Sequence, residues 1–557
     1  MKVDELKDNF TIDRIKHEDS FYVNSPVSIR LPISLADAAP IIPNPAPTPS
    51  KIGGILKRFC RDPGINRKFL RGLRAFTRRW CKKNMRRFNA SDDLTFDTWI
   101  NGTDYPATRK EQLKIIHADM VKNQFTYGSK LRRRSTLVKS FVKDESYVDF
   151  KYPRLINSRC DEFKVFSGPL FDAIGKKLGE REEFVKYIPV VDRPRYLFER
   201  LGKNSRYFSS DYSSFEAHFG RQMMMNCEFI LYKYMTEAVP AQRQAMRQIM
   251  SVISGDNEIR FNDVVMHLEA TRMSGEMNTS VGNGFSNLMI NSYVAELHNC
   301  GKITICVEGD DGIMCFQYPQ NAPCEADFKK YGLIIKLVES DNLADLSFCG
   351  QVFDPDDGIV ITEPFDALVN VGFSRKWHVK ANSGLKKQLL RARALSMMYQ
   401  YNGCPMLTAF AARVIELTSG IRFRKRLIFS FNMYERESMR EALDLHIVPY
   451  IPPPNSPCRL LFSRLYGVSI PDQLSFETAM SDLELGCEID ISNILAYPKQ
   501  NIYMFDRYMK IKDEAFPLSL IELDYIRYLN SKANIPWPAE MMKFIGHKKN
   551  TWTKLIA

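Results

Sequence analysis

The sequence predicts an α+β fold, and three observations carry that reading. Between about 204 and 375 the pattern runs strand, helix, helix, strand hairpin, helix, strand. After 380 it turns helical, beginning with the run 385–420. At 557 residues the chain is too long for one ordinary domain and long enough for several cores. Hydrophobic residues at 45% and charged residues at 26% strike the balance of a folded globular protein, which excludes a disordered tail, a collagen and a small disulfide scaffold. No apolar run reaches the roughly eighteen residues of a membrane span, and the N-terminus lacks a signal-peptide core. The twelve cysteines are scattered without a CxxC pair, which argues for a reducing compartment and against structural zinc. A soluble intracellular multidomain protein is expected.

In chain order, residues 1–55 read as an N-terminal extension ending in a proline-rich linker or surface strap (Pro40, Pro43, Pro45, Pro47, Pro49). Residues 56–89 form a basic amphipathic helical segment. Between Lys57 and Arg87 lie thirteen Lys/Arg and one acid, so this short stretch holds nearly all of the net charge of +13. Its apolar stripe (Ile65, Phe69, Leu73, Phe76, Trp80) has helical spacing and needs a partner. A polyanion, either nucleic acid or an anionic membrane surface, is the implied contact. The stretch 90–200 mixes short strands, turns and basic clusters. Within 376–557 the helical pattern is interrupted by Pro452 to Pro454, and the tail stays aromatic and mixed to Ala557.

The chemistry concentrates in carboxylates. Ile303, Ile305 and Val307 alternate as a strand, Ile313 to Phe316 can return as its partner, and Gly309 to Gly312 then occupy the hairpin turn. Adjacent Asp310 and Asp311 repel each other there unless a cation sits between them; a lone Gly-Asp-Asp is otherwise an ordinary solvated turn. A second strand ends at Asp211, with Glu216 one turn into the next element. Carboxylates from two neighbouring strands suit a pair of divalent ions, although Asp211 also suits a helix cap. The third element, Ser274 to Asn283, is a small-residue loop running into a helix. Gly275 admits a close ligand, and Thr279 and Asn283 share a helical face.

These pieces, in this order, resemble motifs A, B and C of viral RNA-dependent RNA polymerases: Asp211-x4-Glu216, Ser274-Gly275-x3-Thr279-x3-Asn283 and Gly309-Asp310-Asp311. Lys151, Arg154 and Arg159 resemble the basic motif F, Gly332 to Lys336 motif D, and Leu346 to Phe353 motif E; Gly403 to Phe410 is similar to tombusvirus-like positive-strand RNA viruses. The resemblance covers roughly 140–420. It implies a right-hand polymerase fold: fingers at 90–200 with an insertion at 225–270, an antiparallel-sheet palm at 201–375, and a helical thumb within 376–557. It further implies Mg²⁺ or Mn²⁺ held by Asp211, Asp310 and Asp311, triphosphate neutralised by Lys151, Arg154 and Arg159, and Lys336 as general acid. Nucleotide contacts from Glu216, Ser274, Gly275, Thr279 and Asn283 complete the implied site. The implied partners are single-stranded RNA template, nascent RNA and NTPs, with other viral replication proteins and a peripheral membrane contact. The implied location is host cytoplasm at membrane-associated replication sites.

One position departs from the family pattern. The second acid of motif A is usually Asp and here is Glu216, one methylene longer. A reverse transcriptase shares the palm, but its hairpin usually carries an aromatic residue before the Asp pair, where this chain has Gly309. A non-catalytic RNA-binding viral protein has no need of all three metal-site acids. Both alternatives therefore rank below the polymerase.

Overall fold

The computed structural model describes residues 64–495, apart from short gaps within 126–135 and at 148–152, 376–377, 422–426, 428–432 and 445–446; before them it describes 10–14, 28–36 and scattered residues from 38 to 60, and beyond them 511–512. A four-stranded antiparallel sheet lies at the centre. Its order across is Ile335–Ser340, Tyr207–Tyr212, Asp311–Phe316, Ile303–Glu308. The hairpin forms because β-favouring Ile and Val alternate on both sides of Gly309, whose φ of +60° a side chain resists. Glu308 already pairs with Asp311, so the turn is Gly309-Asp310 and Asp311 is the first residue of the return strand.

Alternation sends the two faces of this sheet into different cores. Phe208 and Tyr212 point into a cluster with Phe285 and Met289 of the helix Thr279–Leu297 and with Phe69 and Leu73 of the helix Arg67–Asn84. Tyr207, Ile313 and Cys315 point the other way, toward Leu197, Leu201 and Phe348. Full burial of each such Phe or Leu contributes about 1.5–3 kcal/mol. Asp211 belongs to the second face.

The helix Arg67–Asn84 starts where Asn66 accepts bonds from the amides of Lys68 (2.8 Å) and Phe69 (3.1 Å). Its apolar stripe meets the protein's own core: Phe69 stacks on Tyr331 at 4.7 Å, and Trp80 sets its edge against Phe285 at 5.7 Å.

A five-stranded sheet joins distant stretches in the order Phe10–Arg14, Val264–Glu269, Asp256–Arg260, Val138–Val142, Leu155–Arg159. The helices Ser383–Tyr401, Leu407–Leu417 and Pro457–Tyr466 build a further core. Ile29, Leu31, Ile33 and Leu35 are buried in it. The N-terminal stretch is therefore no loose extension: Ser28–Arg30 pairs with Phe373–Arg375, and Ser34–Leu35 with Glu488–Ile489. Its period-two apolar pattern, interrupted by Pro32, is a strand signal that the proline-rich run after it obscures. Pro43 to Pro49 lie outside the described residues.

None of the twelve cysteines is joined in a disulfide. Among the described residues no helix is long and apolar enough to cross a membrane.

Candidate active site

Register places the acids. Lys336 is the direct antiparallel partner of Asp211. On the other flank Gly312 pairs with Ser210, which brings Asp311 into line with Asp211, and Asp311 pairs with Glu308 across the hairpin. Directly paired residues share a face about 5 Å apart. One row thus crosses all four strands: Lys336, Asp211, Asp311, Glu308. Asp310 stands at the turn beside it.

At Asp310 and Asp311 burial and carboxylate repulsion outweigh the opposing groups. Burial, then the neighbouring Glu216 and Asp211 carboxylates, push Asp310 up to about 6, with Arg154 opposing. Burial, then Asp310, Asp211 and Glu308, push Asp311 up to about 7. Glu308 is neutralised from behind by Arg193 at 2.9 Å. Arg154 lies 3.5 Å from Glu145 and feels Asp310 and Glu216 as well; burial would depress its guanidinium, and those three acids more than offset it.

Glu216 sits in the short 3-10 turn Phe215–His218 and is 6% exposed. Burial would raise its carboxyl, but Arg58, 3.2 Å away, and then Arg154 hold it below the usual carboxylate range. The segment carrying Arg58 is anchored by fully buried Ile55, Phe59 and Cys60. It is anchored also by a buried Lys51–Asp263 ion pair of 2.6 Å.

The glycine loop is tied to the strand before it. The Ser274 carbonyl accepts from the Asn157 amide at 2.5 Å. Gly275 has φ +112°, and a Cβ there would lie 2.7 Å from Ile156, so close approach requires glycine. Its N–H donates to the Thr279 hydroxyl (3.2 Å), which donates to the Met273 carbonyl (2.8 Å). The Asn283 carbonyl oxygen accepts from Arg272 at 2.5 Å. Arg272 in turn pairs with Glu228 and stacks over Phe219 at 3.6 Å.

The expected basic residues divide. Arg154 faces the acids. Arg159 is 4% exposed and held inside the fold: it pairs with Glu276, donates to the Thr136 carbonyl at 2.7 Å and lies over Phe163. Its ion pair ties the strand Leu155–Arg159 to the loop carrying Glu276. Lys151 lies outside the described residues.

Three groups join the site beyond the residues singled out from the sequence. Arg58 is 158 positions from Glu216, and no local pattern marks it. Glu308 immediately precedes the Gly-Asp-Asp and is visible there as a third acid. Asn287 donates to the carbonyls of Gly309 (3.2 Å) and Asp311 (2.9 Å), and Asn291 donates to Asn287 at 2.6 Å. The spacing of Asn283, Asn287 and Asn291 by fours is the available signal.

Among the described residues no three His, Cys, Asp or Glu side chains close on one point as a complete metal shell would. Mg²⁺ characteristically takes one or two carboxylates and completes its octahedron with water and substrate phosphate. The oxygen-only donors, and the repulsion among neighbouring carboxylates that raises the Asp310 and Asp311 carboxyls, fit such an ion.

No curated protein matches the chain. Residues 170–403, which contain the four-stranded sheet, the 274–283 loop and the Asp pair, match the family model described as viral RNA-dependent RNA polymerase. The chain carries a viral RNA-dependent RNA polymerase domain, and it is an RNA-directed RNA polymerase acting with an RNA template and NTPs.

Proposed function

We propose that this polymerase replicates a viral RNA genome by two-metal nucleotidyl transfer, with Asp211, Asp310 and Asp311 holding Mg²⁺ or Mn²⁺. The carrying observation is the row Lys336–Asp211–Asp311, where burial and the Asp310, Asp211 and Glu308 carboxylates outweigh Arg154 at Asp311. When bound, the ions supply neutralisation of the triphosphate and acidification of the primer 3′-hydroxyl. The chain's residues do the rest. Arg154 meets the incoming triphosphate. Lys336 gives a proton to the departing pyrophosphate as the 3′-oxygen bonds to the α-phosphorus and the α–β bridge breaks. Glu216 and Asn283 read the ribose 2′-hydroxyl, with Ser274, Gly275 and Thr279 shaping the loop beneath.

In this reading 201–375 is the palm and 376–557 holds the thumb. The fingers are 90–200 with 225–270, supported by the sheet that joins 256–269 to 138–159. The wording of 403–410 keeps tombusvirus-like viruses as the inferred neighbours, with replication at host membranes.

The test is nucleotide incorporation on single-stranded RNA in Mg²⁺, with and without a primer. Wild type should extend RNA and Asp310→Ala should not. A well-folded Asp310→Ala protein with full activity overturns the metal assignment.

A further inference from the structure

A second charged site lies behind the sheet. The helices Arg67–Asn84, Glu228–Thr236 and Pro240–Ile253 enclose an open cavity of about 630 Å³. Arg74, Arg78 and Lys82 reach it from successive turns of the first helix, about 6 Å apart along its axis. Lys233 comes from the second, and Arg243 and Arg247 from the third. The cavity's acid, Glu237, is already paired with Arg87 at 2.8 Å. Among the described residues Arg74, Arg78, Lys82, Lys233 and Arg247 have neither an ion pair nor a hydrogen-bond acceptor. Burial, then repulsion from Arg74, Arg78 and Arg247, lowers the Lys233 ammonium. Cations converging on one hollow without anions are costly unless a ligand brings them.

We propose that this cavity is a non-catalytic anchor for the phosphate backbone of single-stranded RNA. It stands apart from the catalytic row. The helix Arg67–Asn84 packs against the sheet face of Phe208 and Tyr212, opposite Asp211, and its arginines face outward from there. A strand held here is engaged independently of the one being copied.

Two features favour RNA over a lipid surface. An interfacial helix sinks an apolar face into the bilayer, but the stripe of this helix is consumed by Tyr293, Phe285 and Tyr331. Met225 is the large apolar side chain exposed at the cavity. The charge is also concave, which suits a chain laid into a groove. The proposal rests on the polymerase domain and not on the roles given to the carboxylates.

The test uses the full chain with Arg78→Ala, Lys82→Ala and Arg247→Ala combined; all three are exposed, so folding should survive. Each lost phosphate contact changes the slope of log K against log salt by about 0.7. The triple variant should therefore bind oligouridylate with a slope flatter by about 2 units. Its incorporation rate at saturating short primed template should match wild type, while yield on long templates falls. A control neutralising Lys203, Lys302 and Lys329 should keep the wild-type slope. An unchanged slope in the cavity variant, or equal flattening in the control, overturns the proposal. Loss of binding to phosphatidylserine vesicles with an intact RNA slope assigns the cavity to membrane and also overturns it. Loss of ATP binding alone makes it a nucleotide site and overturns the RNA anchor in the same way.

Discussion

Buried charge is treated in two opposite ways within one neighbourhood of this protein. Around the 272–283 loop every buried cation has its own acid: Arg272 with Glu228, both fully buried, and Arg159 with Glu276. At the hairpin tip, burial and the repulsion among Asp310, Asp311 and Asp211 outweigh Arg154 and, at Asp310, a backbone hydrogen bond. The paired set shows that this fold neutralises charges that serve its architecture. The unpaired set then reads as charge left for something that arrives from solution.

The sharpest way to break that contrast is to remove one acid from the unpaired set. Asp310→Ala should reduce incorporation to background, and Asp310→Asn should be nearly as damaging, because either loses a hard anionic ligand. Stability should tell the opposite story. Measured by thermal melting in a chelator, Asp310→Asn should melt no lower than wild type, since it relieves repulsion. A large loss of melting temperature would mean that Asp310 is an architectural acid after all.

The paired set should behave in reverse. Arg272→Met strands Glu228 in the core, and breaking such a buried pair costs about 3–5 kcal/mol. Urea unfolding should report that loss. Adding Glu228→Met should recover most of it, because apolar groups replacing a whole buried pair are often neutral or better. If the double variant is as unstable as the single, packing rather than charge holds this region.

The same contrast explains what could be read from the sequence. The hairpin, the strand ending at Asp211 and the glycine loop are contiguous, so periodicity and turn chemistry expose them directly. Lys336 is visible as a residue, but its place beside Asp211 is a property of register, which only the folded sheet sets. Arg159 is visible as a basic residue, but its partner Glu276 lies far along the chain and no local pattern marks the pair. The helical stripe from Ile65 to Trp80 is legible as amphipathic, whereas the hollow shared by Arg74 and Arg247 requires three separate helices to meet. Residues 28–35 alternate as a strand should, yet their partners at 373–375 and 488–489 lie hundreds of positions away.

Arg58 bridges the two regimes, since it neutralises Glu216 on the edge of the unpaired set. Arg58→Ala should weaken the preference for ribonucleotides over deoxyribonucleotides by more than it slows total incorporation. Arg58→Lys, which keeps the charge, should retain most of that preference. The ratio of kcat/KM for UTP and its deoxy counterpart measures it, and equal losses on both substrates would reduce Arg58 to a structural brace.

The smallest expected effect is also the most discriminating. Glu216→Asp installs the residue that the resembling motif usually carries, so a reading from the motif alone expects activity to hold or improve. The geometry says otherwise. Glu216 reaches Arg58 at 3.2 Å, and removing one methylene retracts the carboxylate by about 1.5 Å. That stretches the contact past hydrogen-bonding range unless the 215–218 turn moves with it. Arg58 also lies outside the span 170–403 that matches the polymerase family, so the partner of this acid comes from the N-terminal segment. Losing one charge-assisted contact near the sugar corresponds to roughly 1–2 kcal/mol, or about 5- to 30-fold in ribonucleotide preference. Folding should be little affected, because Arg154 still faces the shortened acid. Ribonucleotide preference at or above the wild-type level would show that Arg58 does not position this acid, and that the longer side chain is tolerated rather than required.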